Sequence, residues 1–280
     1  MRSGVFAFCY ATIAAGLLAA CDNQRPLEPS RGLEAPRAQR GGIKNATGFA
    51  TLTTLPSLAR GVNAEAYGVD RAGSIIAGYS RDRTDRMNPV TWTQQNGTWA
   101  INALPYPASA TSAVARAVND AGDVAGNDFP ATTPHALLWP AAGGSEPLGC
   151  GELGEVFGMS AAGRVVVGVD RHVAPAIAAL WLPGNCREDL PALFAGGSAS
   201  ALAVNGDGTI VGGSAQPAAE SKFQVPVRWR LVAGAWQIDQ LDSRSGTVYG
   251  ANAAGDLAGT VSVSCESSST CNRGVIWYAA

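Results

Sequence analysis

The stretch "AVNDAGDVAG" (residues 117–126) decides the fold, because the chain repeats it with variations. The related segments are "YGVDRAGSIIAG" (67–78), "RAVNDAGDVAG" (116–126), "FGMSAAGRVVVG" (157–168), "LAVNGDGTIVG" (202–212) and "YGANAAGDLAG" (249–259). Gly73, Gly122, Gly163, Gly208 and Gly255 recur, each preceded at three residues by Asp70, Asn119, Ser160, Asn205 or Asn252. A short polar side chain in that place bonds backbone two residues on. A glycine three residues later takes the left-handed conformation that closes a four-residue hairpin loop. The recurring positions are therefore those that a tight turn between two strands requires.

The aspartates of the quoted stretch follow a different rule. Where unit two has Asp120, the other units have Arg71, Ala161, Gly206 and Ala253. Where it has Asp123, they have Ser74, Arg164, Thr209 and Asp256. A cation site gathers several oxygen ligands, six to eight for calcium. Carboxylates scattered in this way do not make one, and "NGDGT" (205–209) resembles a calcium loop only in outline. The expectation is no metal.

A second mark follows each turn. Trp92, Trp139, Trp181, Trp229 and Trp277 are spaced 47, 42, 48 and 48 residues apart on aliphatic or β-branched segments. One tryptophan per unit in the same slot is core packing between units, each contributing roughly 2–3 kcal/mol. After Trp92 comes Asn96-Gly97, a two-residue hairpin signal, and "RLVAGAWQIDQL" (230–241) echoes it in unit four. Each unit reads as four short strands: one before the turn, one after it, one carrying Trp, and one ending in Leu.

These features resemble the extracellular HAF-repeat family, named for a His-Ala-Phe triplet before the tryptophan. His135-Ala136-Leu137-Leu138-Trp139 is the nearest copy; the other four units depart from the triplet at Pro89-Val90-Thr91, Ile177-Ala178-Ala179, Pro226-Val227-Arg228 and Gly274-Val275-Ile276. The resemblance covers about residues 60–280 and implies an exported repeat protein, without an agreed activity.

Units of about 47 residues with four strands have the size of propeller blades, which bury their faces only by stacking. The fold class expected is all-β, a five-bladed β-propeller over residues 45–280. A six-bladed ring and an open β-solenoid are the alternatives. Unit five stops three residues after Trp277, whereas "NATGFATLTTLPSLA" (45–59) reads as a fourth strand, its Leu55-Pro56 matching Leu104-Pro105. The N-terminal strand is therefore expected to complete the last blade and remove an open edge.

The start of the chain carries an address. Arg2 precedes an apolar run from Val5 to Leu18, which ends in Leu18-Ala19-Ala20-Cys21. This resembles a bacterial lipoprotein with a type II signal peptide: residues 1–20 are the signal, and Cys21 is the lipidation site. The alternative is an ordinary secretory signal cleaved nearby. Several acyl chains on one terminus anchor stably, so the implied location is the bacterial cell envelope, periplasmic or on the outer face, tethered to the membrane by lipid. Residues 21–44 mix Pro, Gly, Arg and Glu without hydrophobic period and read as a flexible linker.

Charged residues make up 15% of the chain and the formal net charge is −2, with no basic patch, so nucleic acid is not an expected partner. With Cys9 lost in the signal and Cys21 lipidated, Cys150, Cys186, Cys265 and Cys271 remain. An even number in an exported chain favours disulfides: Cys265 with Cys271 across a short loop, and Cys150 with Cys186 by elimination. No cofactor is expected, and the reading is of a monomer.

In a propeller, the loops between second and third strands share one end with the links between blades. Those loops, at 79–88, 127–134, 169–175, 213–224 and 260–274, differ most among units. Variable loops on a uniform scaffold suggest a binding face. Its candidates are Arg81, Asp82, Arg83, Arg86, Phe129, Asp170, Arg171, His172 and Phe223, directed at an envelope protein or a glycan. A glycoside hydrolase or lyase is the enzymatic alternative, resting on Asp82, Asp128, Asp170 or Glu220 as a carboxylate pair. A purely structural envelope protein is the third. No GxSxG, Walker or HExxH motif occurs, so no catalytic residue is assigned.

Overall fold

The computed structural model describes residues 52–60, 62–130, 134–150, 153–182, 184–265 and 270–279, and every regular element among them is a β-strand. In unit one, β1 (Ala64–Val69), β2 (Ile75–Arg81), β3 (Met87–Gln95) and β4 (Thr98–Ala103) lie side by side in chain order, each antiparallel to the next. Unit two repeats this with β5 (Ser112–Val118), β6 (Val124–Phe129), β7 (His135–Trp139) and β8 (Glu146–Pro147). In unit three the strands are β9 (Glu155–Met159), β10 (Val166–Asp170), β11 (Ile177–Trp181) and β12 (Glu188–Asp189). Unit four contains β13 (Ala199–Val204), β14 (Ile210–Ala215), β15 (Val225–Val232) and β16 (Ala235–Gln240). Unit five has three: β17 (Gly246–Ala251), β18 (Leu257–Ser264) and β19 (Thr270–Trp277).

The five meanders follow from the turn residues, with two refinements. The loops closed between Asp70 and Ile75, Ser160 and Val165, and Asn205 and Ile210 hold four residues, as expected; those between Asn119 and Asp123 and between Asn252 and Asp256 hold three. The polar side chain also reaches further than two residues. Asp70 Oδ1 accepts from the N–H groups of Ser74 and Ile75, and Asn205 Oδ1 from those of Thr209 and Ile210. It thus spans the loop and caps the start of the second strand. Gly73, Gly122, Gly208 and Gly255 are left-handed, whereas Gly163 is not. In that unit Ser160 is one atom shorter, and its Oγ accepts from Val165 N. The Asn96-Gly97 turn has φ of 50° and 78°, and Ala233-Gly234 copies it at 51° and 82°, both as the hairpin signal requires.

Sheets stack face to face in chain order. Ala77 meets Val124, Leu137 and Trp139 between units one and two, and Val167 and Leu180 meet Val211, Val227 and Trp229 between units three and four. Trp92, Trp139, Trp181 and Trp229 are at most 1% exposed. Trp277, on the edge strand β19, is half-buried, because no fourth strand covers it among the described residues. Residues 52–57 form no strand, and Ile276 and Tyr278 stay 58% and 74% exposed.

Neighbouring units are also joined by a repeated hydrogen bond. Trp92 Nε1 donates to Pro56 O at 2.7 Å, Trp139 Nε1 to Pro105 O, and Trp229 Nε1 to Pro191 O at 2.7 Å. The Leu-Pro pairs at 55–56, 104–105 and 190–191 are thus each read by the tryptophan of the unit that follows them. Cys150 is bonded to Cys186 and Cys265 to Cys271, with Cα separations of 4.8 and 5.9 Å.

Every first strand carries a β-bulge at the same place. The register slips at Tyr67, Arg116, Phe157, Leu202 and Tyr249, which have no partner on the second strand. The extra residue drives the preceding carbonyl down onto the second strand. A Cβ at Gly78, Gly126, Gly168, Gly213 or Gly259 would collide with the carbonyl oxygen of Glu65, Val114, Glu155, Ser200 or Thr247. Only glycine fits there. In unit four this glycine is Gly213, one residue beyond the Gly212 at which the sequence copies align.

Substituting that glycine is expected to be severe. Gly168→Ala should cost roughly 3 kcal/mol or more in urea unfolding, at the upper end of overpacking penalties. Gly274→Ala on β19 meets nothing within 4 Å and should change stability by less than about 0.5 kcal/mol. Equal effects at the two positions would mean that the bulge does not dictate the glycine.

Candidate functional site

The two ends of each sheet differ. At one end lie the polar turns, which contact one another. Arg71 N donates to Asp120 Oδ1 at 3.0 Å, Asp120 N to Ala161 O at 2.9 Å, and Ala162 N to Gly206 O at 2.8 Å. Asp123, 3% exposed, receives Arg164 Nε and Nη2 at 2.8 and 2.7 Å and Ala141 N at 2.9 Å. The aspartates of the opening stretch therefore tie unit two to units one and three. Among the described residues no group of His, Cys, Asp and Glu is arranged to hold a metal.

At the other end, the links between units meet the loops between second and third strands: Arg81 N bonds Asn63 O, Thr111 N bonds Phe129 O, and Gln216 N bonds Ser198 O. Most of the sequence candidates here are spent on the protein itself. Arg81 Nη1 donates to Asp85 O at 2.6 Å and pairs with the Asp85 carboxylate at 3.2 Å. Asp82 caps its own loop by accepting from Thr84 and Arg86; the Thr84 hydroxyl, above all, holds its carboxyl at about 2. Arg86 donates to Ala110 O at 2.9 Å and lies over the Tyr106 ring. Phe129 is half-buried. Asp170 is buried against Arg187 Nη1 at 2.5 Å, and Arg171 sits 3.7 Å from Glu155 and over Phe157. Arg83, His172 and Phe223 are the candidates left exposed without a side-chain partner. Cys21 lies outside the described residues.

The carboxylates of the enzymatic alternative are similarly engaged: Asp128 is buried 3.0 Å from His135 Nδ1, while Asp82 and Asp170 are bonded as above. Glu220 is exposed.

A third feature was not anticipated from sequence. The five bulged residues, one from each unit, border a single cavity of about 160 Å³, together with the two residues that follow each of them. Its lining residues are mainly glycine, aliphatic and aromatic, the surface they present is nearly as polar as apolar, and Arg116 is the only charged residue among them. The Arg116 guanidinium lies 4.4 Å over the Tyr67 ring, and its Nε is buried without a hydrogen-bond partner. Beside the cavity, Tyr67 and Tyr79 donate their hydroxyls to Glu65 at 2.7 Å each, which lowers the Glu65 pKa; burial, then the bond to Glu65, raises that of Tyr67. The signal in the sequence was the head of each repeat, where Tyr, Arg, Phe, Leu and Tyr stand before nearly constant residues.

No family model, no curated protein and no solved structure matches this chain. Its class is accordingly defined by its own geometry: an all-β protein of five consecutive antiparallel sheets with a shared cavity at their first strands.

Acid should loosen the fold, with a sign fixed by the carboxylates. Asp82 and Asp242 sit at about 2, the latter through Arg244. Asp123 is also lowered: burial opposes ionisation, and the bonds from Arg164, Ala141 and Asn119 outweigh it. Depressed values stabilise fully above about pH 4 and are lost as pH falls towards 2. Thermal midpoints should therefore drop between pH 5 and pH 2. Arg164→Met should cost about 2 kcal/mol at pH 7, the loss of a charged hydrogen-bond pair, and the gap to wild type should narrow below pH 4 as Asp123 takes up its proton. A gap independent of pH would assign the loss to packing instead.

Proposed function

We propose that this chain is a lipid-anchored envelope protein whose five sheets close into a β-propeller and whose loop end captures an envelope protein or a glycan. The observation that carries the capture reading is the contrast between the two ends. The turn ends are knitted together by bonds from unit to unit, whereas the loop end holds the segments that differ in length and sequence. There Arg83, His172 and Phe223 stand exposed, their side chains making no hydrogen bond or ion pair among the described residues. Variable, partner-free side chains on a rigid scaffold are what recognition needs. The resemblance to HAF repeats, the lipoprotein-like start and the paired cysteines favour an exported, oxidising location.

Closure is supported by a register that holds in every complete unit. Trp92 pairs with Ile101 and Trp229 with Ile238, in each case three residues before the leucine that ends the fourth strand. The neighbouring pairs Leu138–Glu146 and Leu180–Glu188 keep the same offset. Applied to Leu55, the rule sets Leu52 opposite Trp277 and Thr53 opposite Ile276. Such a strand would cover the exposed edge of β19.

A chain carrying Thr53→Cys and Ile276→Cys should form that disulfide within one molecule under mild oxidation, as read by peptide mapping. Its failure to form, with both thiols reactive to alkylation, rejects the closed disc. For the anchor, Cys21→Ser should abolish labelling by fatty acid and shift the protein from the membrane to the soluble fraction. For capture, Arg83, His172 and Phe223 replaced together by Ser should keep the melting midpoint within a few degrees while losing the species crosslinked to wild type in its own envelope. Capture of the same species by the triple variant would disprove the loop-end assignment.

A further inference from the structure

We propose that the cavity at the first strands is a binding site for a small carboxylic acid with a ring-shaped body, held by Arg116. The inference stands apart from the loop-end reading and uses none of its residues.

The sequence alone makes Arg116 unusual. Its counterparts in the other units are Tyr67, Phe157, Leu202 and Tyr249, all with apolar bodies. A unit that needed only packing at the bulge is served by Leu or Phe, as units four and three demonstrate. A half-buried arginine among rings and aliphatic side chains carries a desolvation cost unless its charge and donors are met. They are only partly met here. Tyr67 offers its ring face, but Nε is buried without an acceptor, and among the described residues no carboxylate lies at ion-pair distance. Glu65 attracts Arg116 only through space, and each of its oxygens accepts a tyrosine hydroxyl instead of an arginine N–H. The guanidinium fork is thus left without a carboxylate in contact.

The cavity suits that charge. Guanidinium presents parallel donors that match a carboxylate in two-point contact. The side chains of Tyr67, Phe157, Tyr249, Met159 and Leu202 line the space with aromatic and adaptable apolar groups. At about 160 Å³ the space exceeds a bare ion, having room for roughly five waters, and accepts a molecule of one ring. Tyr249 is 42% exposed, so the cavity is open to entry beside it.

The test is calorimetric titration of the full chain with benzoate and with glucuronate, against inorganic phosphate and benzyl alcohol. One or both acids should bind, benzoate alone indicating an aromatic acid and glucuronate alone a sugar acid, while the alcohol and phosphate bind at least tenfold more weakly. Arg116→Met should weaken the acid at least tenfold, and Arg116→Lys should recover part of that loss. Leu202→Trp, which fills the cavity from the opposite wall and leaves Arg116 in place, should abolish binding. In the absence of ligand, the melting midpoint of Arg116→Met should equal or exceed wild type, because the fold satisfies that charge only in part. The proposal is overturned if neither acid binds wild type, if phosphate binds as tightly as the acids, if Leu202→Trp binds normally, or if Arg116→Met melts lower yet binds the acid unchanged.

Discussion

The extra residue in each first strand is the constraint on which the rest of the structure depends. An unbroken strand sends alternate side chains to its two faces. The bulge interrupts that alternation and turns one side chain per unit towards the common cavity. It also lowers a carbonyl onto the second strand, so glycine is obligatory beneath it. The same glycine makes room for the tryptophan: a Cβ at Gly78 would press on Trp92, and one at Gly168 on Trp181. The seated indole then reaches the Leu-Pro carbonyl of the preceding link. Bulge, glycine, tryptophan and proline form one packing unit, and its repetition sets the stacking of the sheets.

One of the two junctions that lack the proline is informative. Between units two and three the proline is replaced by Gly149, and Trp181 Nε1 is buried with no partner among the described residues. Cys150 follows that glycine directly, and Cys186 lies just after Trp181 in the facing unit. The two segments joined elsewhere by an indole-to-carbonyl hydrogen bond are joined here by a disulfide. A covalent bond takes over at the junction where the polar one is missing, which accounts for this cysteine pair in a fold that otherwise holds its units by packing.

Much of this architecture was legible in one sequence. The turn spacing, the tryptophan period and the leucine at the fourth strand's end located nineteen strands' worth of order, because hairpins and aromatic packing leave local signatures. The bulge left almost none: it is defined by what a residue lacks across the ladder, and Tyr, Arg, Phe and Leu all occupy it. Aligning copies at the turn also concealed a one-residue difference between three-residue and four-residue loops. This is why Gly212 stood in for Gly213. Charge pairing was hidden for another reason. Asp170 finds Arg187 at 17 residues' distance within unit three and Asp123 finds Arg164 at 41 in the next unit, separations set only by the folded sheets. Loop charges that look free for a ligand in the sequence are therefore largely spent within the fold.

In the proposed disc, the seam between the last and first units uses the same packing unit. Pro56 does for Trp92 what Pro105 and Pro191 do for Trp139 and Trp229, and Leu58 N adds a bond to Ser80 Oγ at 3.0 Å. The segment ending at Pro56 thus occupies the place of a link leaving a fourth strand, although it precedes unit one. Unit five is the sheet with three strands, and its first strand borders the same cavity as β1. A methyl at Gly250 would meet nothing within 4 Å, whereas one at Gly68 or Gly158 would touch the next unit's first strand. In the proposed disc, the junction beside Gly250 is wider than its counterparts at the strand nearest the cavity. In the proposed disc it is fastened from the outside, by the chain's own beginning, and the gap beside Tyr249 remains as the way into the cavity.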